Sequence, residues 1–260
     1  MSLSLRNIKL TIGYDGTDFS GWQRQLQVRT IQGELEHCLA LMTREKVDLH
    51  SAGRTDAGVH AEAMVAHFVT SSTISCQDFL RALNSMLPGA IKIFSAEEVD
   101  LQFHARYSAK GKRYQYTLYT GEIQPPQLRL YSVHVTSKLN LPAIKSCLQL
   151  LEGKHDFSSF ENSGSRDKSI FSGRGAIRTI YQAELLEEPP SQLIFQFTGD
   201  GFLRNMIRNF MGTLLEVGRN KISTEDFSEI LQAKDRAMAA ATAPAHGLSL
   251  KEVFYQDLSF

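Results

Sequence analysis

Cysteine is scarce: Cys38, Cys76 and Cys147 are the three in 260 residues, they stand far apart, and no Cys-x-x-Cys pair occurs. That scarcity argues against a disulfide framework and a cysteine-built zinc site, and leaves three buried or half-buried thiols on segments of helical pattern. Charge of one sign is lacking too, since Lys plus Arg and Asp plus Glu each number 28. Net charge therefore gives no reason to expect a polyanionic partner, and only a local patch could supply one. Long apolar runs are missing, and the opening MSLSLRNIKLTIGYDG passes straight into strand-like alternation. Neither a signal peptide nor a membrane span is expected, and a cytoplasmic protein is the default. P-loop and dinucleotide-binding glycine fingerprints are also absent. What is present, 42% hydrophobic and 22% charged residues, is an ordinary globular composition without disorder or coiled-coil bias. The length suits one large domain or two of ordinary size.

Apolar alternation at Ile8, Leu10, Ile12 and Tyr14 predicts a strand over 6–14, and Ile31, Leu35, Cys38, Leu39 and Met42 follow helical spacing. Val65, Phe68 and Val69 mark a second strand region, with room for a short one at 46–51. Ser75 with Asp78 resembles a capping box opening a helix that carries Phe79, Leu80, Leu83 and Leu87, and AIKIFSAEEV returns as a strand. KRYQYTLY alternates again; Asn140 and Pro142 then introduce a helix with Ile144, Leu148 and Leu151, which Gly153 is placed to end. AIRTIYQAELL and QLIFQFTGD flank the turn-forming EEPPSQ as a hairpin. An amphipathic helix with Leu203, Ile207, Phe210, Met211, Leu214 and Val217 inward comes next, Thr224 begins another, and a last strand lies near 251–257. Two sets of strands and helices in similar order predict an α+β fold of two similar ferredoxin-like halves, mainly antiparallel sheets with helices on one face and a central cleft for the site. The boundary falls near 100–111, giving an N-terminal half at 1–105 and a C-terminal half at 106–260.

Within SAGRTDAGVHA, Asp56 is the only acid, between Arg54 and His60 and flanked by glycines that permit φ > 0 and close approach of another molecule. A plain surface turn has the same composition. From Phe103 to Gly121 no acid occurs, while Arg106, Lys110, Lys112 and Arg113 interleave with Tyr107, Tyr114, Tyr116 and Tyr119. Basic and aromatic residues together fit single-stranded or loop RNA, although a solvated edge strand with tyrosines beneath reads the same way. Arg166, Lys168, Arg174 and Arg178, against Asp167, form a second basic stretch, a Gly- and Ser-rich loop that could order on a partner. His60 and Glu62 match the H-x-E of zinc base deaminases, but the accompanying P-C-x-x-C is missing. Glu62 is the nearest acid to Asp56, yet nothing in their spacing sets the pair across a sugar.

Seven blocks then add specificity: GYDGTDFSGWQRQ at 13, TIQGELE at 30, AGRTDAGVHA at 52, FHARYSAKGKRYQY at 103, GKHDFSSF at 153, GFLRNMIRNFMGTLLEVG at 201 and APAHGLSLKEVFY at 243. In this order they resemble the tRNA pseudouridine synthases of the TruA type over almost the whole chain. The resemblance implies two RRM-like halves and conversion of uridine to pseudouridine at tRNA positions 38, 39 and 40 in the anticodon stem-loop, by a homodimer without metal or organic cofactor. Uracil would be cut from C1′ at N1, turned within the site and rejoined through C5.

Asp56 falls on the catalytic aspartate, as nucleophile or as base at the ribose. Tyr114 falls on the active-site tyrosine, where a ring can stack on uracil with its hydroxyl near the departing C5 proton. Arg208, in MIRN, matches the arginine that pairs with the aspartate and favours its charged form. Arg54 matches the arginine that holds the target base out of its stack. Arg24, Lys110, Lys112, Arg113 and Arg178 are the expected RNA contacts. Residues 161–178 run longer than the family's usual passage and lack its common Arg-Thr-Pro, although Arg178 still fits. A catalytically silent RNA-binding module is the competing reading.

Overall fold

The computed structural model describes residues 4–162 and 174–258. Along the chain run β1 (Arg6–Tyr14), α1 (Ile31–Thr43), β2 (His50–Ser51), β3 (His60–Thr70), α2 (Cys76–Met86), β4 (Ile91–Val99), β5 (Gly111–Tyr119), β6 (Val133–His134), α3 (Leu141–Leu151), β7 (Gly153–Asp156), β8 (Ile177–Glu188), β9 (Gln192–Gly199), α4 (Met206–Gly218), α5 (Thr224–Ala233) and β10 (Leu248–Phe254). The α+β class expected from the sequence is the class observed. Two compact units divide the chain: one holds the described residues through Lys110 and again from Ser249, the other those from Gly111 to Leu248.

In the first unit, β1 lies between β3 and β4 and is antiparallel to both, pairing Leu10 with Ala66 on one side and Ala96 on the other. β2 adds antiparallel to β3 through His50 and Ser51. Thr30 and Ser75 begin α1 and α2 in extended conformation, their hydroxyls accepting the N–H of Gly33 and Asp78. Asp78 departs from the full capping box: its carboxylate accepts the Ser75 hydroxyl (2.7 Å). Ile31, Leu35 and Leu39 of α1 are buried, as are Phe79 and Leu83 of α2. Phe79 meets Phe68 of β3 edge-on at 5.5 Å, fixing α2 to the sheet. Val69, expected in the strand pattern, is one of its exposed residues, because the alternation of β3 turns it outward.

The C-terminal strand also belongs to this unit. Ser249 and Leu250 pair parallel with His60 and Ala61, the Lys110 N–H donates to Phe254 O (2.8 Å), and the Tyr255 hydroxyl donates to Ala105 O (2.7 Å). These bonds carry the first unit to Lys110 and return residues from 249 onward to it. A boundary at 105/106 with the whole C terminus in the second half does not anticipate that return.

In the second unit the sheet runs β5-β9-β8-β7, antiparallel throughout, with β6 added parallel to β5. The β8–β9 hairpin follows the sequence expectation. Asn140 caps α3 through Ala143 N–H, and Gly153, at φ +98°, turns the chain from α3 into β7. α5 opens with a full capping box between Ser223 and Asp226. All residues of α4 except Arg208 and Glu216 are buried. The Phe210 ring has the rings of Phe157, Phe160 and Phe197 at 5.5, 4.8 and 5.7 Å, making it the centre of this core. Leu203, expected on this helix, instead lies buried in the turn that precedes it.

His67 of β3 is buried with His50 and His104 at ring distances of 5.3 and 4.7 Å. Its Nδ1 lies 3.2 Å from both the Ala105 N–H and the His50 carbonyl oxygen. Burial first, then the neighbouring His104 and His50, push its pKa down to about 4. An unfolded histidine takes up a proton near pH ~6.5, which the folded one resists until about 4, so the stability it confers is complete above the first value and lost towards the second. His67→Gln is expected to flatten the fall in melting temperature over that acid range. An unchanged slope would show that His67 is not its source.

Candidate active site

Between β2 and β3 the chain turns through Asp56, whose carbonyl accepts the Val59 N–H (3.2 Å). Gly58 sits at the third position of this turn with φ +76°, a conformation that favours glycine. The segment after β1 lies directly on the turn. The Trp22 N–H donates to Thr55 O (3.0 Å) and the Gly58 N–H to Phe19 O (3.4 Å). A Cβ on Gly21, itself at φ +90°, would stand 2.7 Å from Thr55 O, and one on Gly16 would stand 2.1 Å from Val59 O. Thr55 is buried with its hydroxyl bonded to that of Tyr14 (2.8 Å), and Val59 is buried on the other side. Asp56 is thus a partly exposed acid between two anchored neighbours, with Arg54 and Ala57 exposed beside it.

His60 and Glu62, the H-x-E pair, are engaged elsewhere. His60 Nδ1 accepts the Gly16 N–H (3.1 Å), and Glu62 forms an ion pair with Lys251 at 2.5 Å. Among the described residues no group of three or more His, Cys, Asp and Glu could hold a metal ion. Arg24 donates to Glu36 at 2.6 Å, and Glu36 is itself buried and accepts from Gln32 and the Leu49 N–H. The guanidinium of Arg24 is therefore oriented while more than half exposed. Lys110 is exposed, 3.6 Å from Asp257.

The other sequence-derived candidates belong to the second unit. Tyr114 lies in β5 opposite Phe197, buried, with its ring edge-on to Phe202 at 5.1 Å. Strand alternation puts Lys112 on the face of Tyr114 and Arg113 on the opposite one, where its Nε donates to the Thr198 hydroxyl (3.2 Å). The two cations therefore cannot serve one surface of the strand. Arg178 donates to the carbonyls of Gly175 and Ile177 (2.9 and 2.6 Å), and Arg174 pairs with Asp200 at 2.7 Å. Arg166 and Lys168 lie outside the described residues.

Arg208 occupies the first turn of α4 and is partly exposed on an otherwise buried helix. Its Nε donates to Ala243 O (2.8 Å), its Nη1 donates to Asn205 Oδ1 (2.9 Å), and its own carbonyl accepts the Ala243 N–H (3.0 Å). Tyr116 donates its hydroxyl to the next carbonyl, Pro244 O (2.8 Å). Burial raises the pKa of this phenol well above its ordinary value, against the opposing pull of the Arg208 charge, so it remains a donor. Asn205 and the backbone at 243–244 were not singled out in the sequence, and Tyr116 only as one of the tyrosines interleaved with basic residues. Asn205 carried one signal, an Asn directly before an apolar helix.

The model of the family described as tRNA pseudouridine synthase matches residues 11–108 and 147–256. The chain belongs to the tRNA pseudouridine synthase family. It is similar over nearly its whole length to named members: 54% identical to tRNA pseudouridine synthase A 1 of Desulfotalea psychrophila over 251 residues, covering 96% of this chain and all of that protein. It is 45% identical to the tRNA pseudouridine synthase A proteins of Acetivibrio thermocellus and of an Exiguobacterium species, covering 96% and 98% of this chain and all of each relative. The matched region of the synthase includes the Asp56 turn and its glycines. Gly21→Ala is expected to destabilise this protein by about 1–3 kcal/mol, because the added Cβ would strike the Thr55 carbonyl. Gly89→Ala, where a Cβ would meet nothing within 4 Å, is the control. Equal unfolding free energies for the two variants in urea would contradict the close-approach reading.

Proposed function

We propose that the chain converts uridine to pseudouridine in the anticodon stem-loop of tRNA, with Asp56 at the reacting nucleotide and Tyr114 and Arg208 acting with it. Family membership makes the chain an isomerase acting on tRNA uridine. The bond from N1 to C1′ breaks and one from C5 to C1′ forms; C5 gives up its proton and N1 gains one, so no atoms are lost between uridine and pseudouridine.

The reading is carried by the Asp56 turn, which presents a partly exposed acid between two buried residues within the matched family segment. Whether it attacks C1′ or removes a ribose proton, Asp56 is the reacting acid of this proposal, and Arg208 is the cation assigned to act with it. A duplex or a stacked loop hides the target atoms, so the nucleotide must leave its stack, and Arg54 is suited to hold it out. Tyr114 supplies a ring for the uracil and a hydroxyl for the C5 proton. Arg24, Lys110, Lys112, Arg113 and Arg178 are assigned to the RNA, with Arg113 meeting it on a different face from Lys112. A homodimer completes the proposal.

Incubation with unmodified tRNA followed by nucleotide-resolution mapping tests this function. Pseudouridine at anticodon stem-loop uridines is the expected outcome. Modification confined to other parts of the tRNA would overturn the assigned target, and intact binding with no modification would favour the silent RNA-binding module.

A further inference from the structure

Among the described residues, α4 begins unlike the other four α-helices. Thr30, Ser75, Asn140 and Ser223 each use a side-chain oxygen to accept the backbone N–H three residues on. Asn205 occupies the same position before α4, but its backbone is left-handed at φ +60° and its side chain makes no capping bond. Its Oδ1 instead accepts Nη1 of Arg208, the residue whose backbone N–H an N-cap would ordinarily serve. A good capping residue has therefore been diverted to a guanidinium.

The second support of that guanidinium, Ala243 O, is itself fixed to α4 through a chain of bonds. Arg236 donates to Ala239 O, the Ala240 N–H donates to the Thr213 hydroxyl, and Thr242 donates to Asn209 Oδ1 at 2.7 Å. Asn209 is fully buried and also donates to Phe160 O (2.8 Å), so its orientation is set. Gly212 lets this segment press onto the helix, since a Cβ there would stand 1.9 Å from Ala241 O. Arg208 is consequently held from two sides by acceptors that cannot easily move.

We propose that Asn205 is a positioning residue for the reaction: together with Ala243 O it fixes the direction of the Arg208 guanidinium, and it does so at the expense of capping α4. The inference rests on Arg208 acting in catalysis. Small errors in the placement of a reacting or stabilising group cost turnover rather than binding.

Asn205→Gly in the full chain tests this, because glycine keeps the left-handed backbone and removes only the acceptor. The single-turnover rate is expected to fall roughly 10-fold or more, with the Kd for tRNA changed by less than about twofold and the melting temperature maintained. Placed on Arg208→Lys, in which the two-sided hold is already lost, the same change should cost less than about twofold further. A slow Arg208→Lys enzyme beside an Asn205→Gly enzyme of wild-type rate would overturn the positioning role and leave that of Arg208 standing. Equal proportional losses in both backgrounds would make Asn205 a structural residue and overturn the inference as well. Wild-type rate in Arg208→Lys would remove Arg208 from the proposed chemistry and the inference with it.

Discussion

Main chain resting directly on main chain is the constraint on which the candidate site depends. The segment from Gly16 to Trp22 touches the backbone of residues 55–59 so closely that a single methyl group at Gly16 or Gly21 would displace it. Hydrogen bonds from Trp22 N–H and to Phe19 O then fix the register between the two segments. The side chains around the contact, Tyr14, Trp22, Thr55 and Val59, are buried and hold it from behind. A short acid on such a turn has little freedom, which is what a group directed at one atom of a nucleotide requires.

The second unit reaches the same end by similar means. Residues 239–244 are laid along α4 where Gly212 leaves room, and they are tied down at nearly every residue by Thr213, Asn209, Arg208 and Tyr116. Below them the Phe210 cluster supplies the apolar burial that makes α4 immobile. Arg208 thus stands on a helix with almost no exposed surface of its own. In each unit rigidity comes from the core, and loop backbone delivers it to a charged side chain.

Much of the fold was legible because long elements impose period on their sequence. β1, α1, α3 and the β8–β9 hairpin follow the alternation or helical spacing of their apolar residues, and Ser75, Asn140 and Thr224 mark in the sequence where α2, α3 and α5 begin. β6 and β7, at two and four residues, are too short to show a period. The return of β10 to β3 is a pairing between distant residues, invisible to any local pattern. Leu203 misled because it continues the apolar stripe of α4 from a turn outside the helix. Around the site, the glycine-flanked turn was legible and Gly58 does take positive φ, but the contact that needs Gly16 and Gly21 is tertiary. Arg113 facing away from Lys112 was written in the strand alternation. The ion pair of Arg24 with buried Glu36 was not, since Glu36 reads as a surface acid on an amphipathic helix.

The central claim is that Asp56 performs the isomerisation, and tritium release from tRNA labelled at uridine C5 tests it most directly. The comparison is between the protein and its Asp56→Asn variant at matched folding and matched tRNA binding. The account predicts release by the first and none by the second, because the C5 proton leaves only when the base has been detached and rejoined. Release by the variant at the rate of the unmodified protein would contradict it.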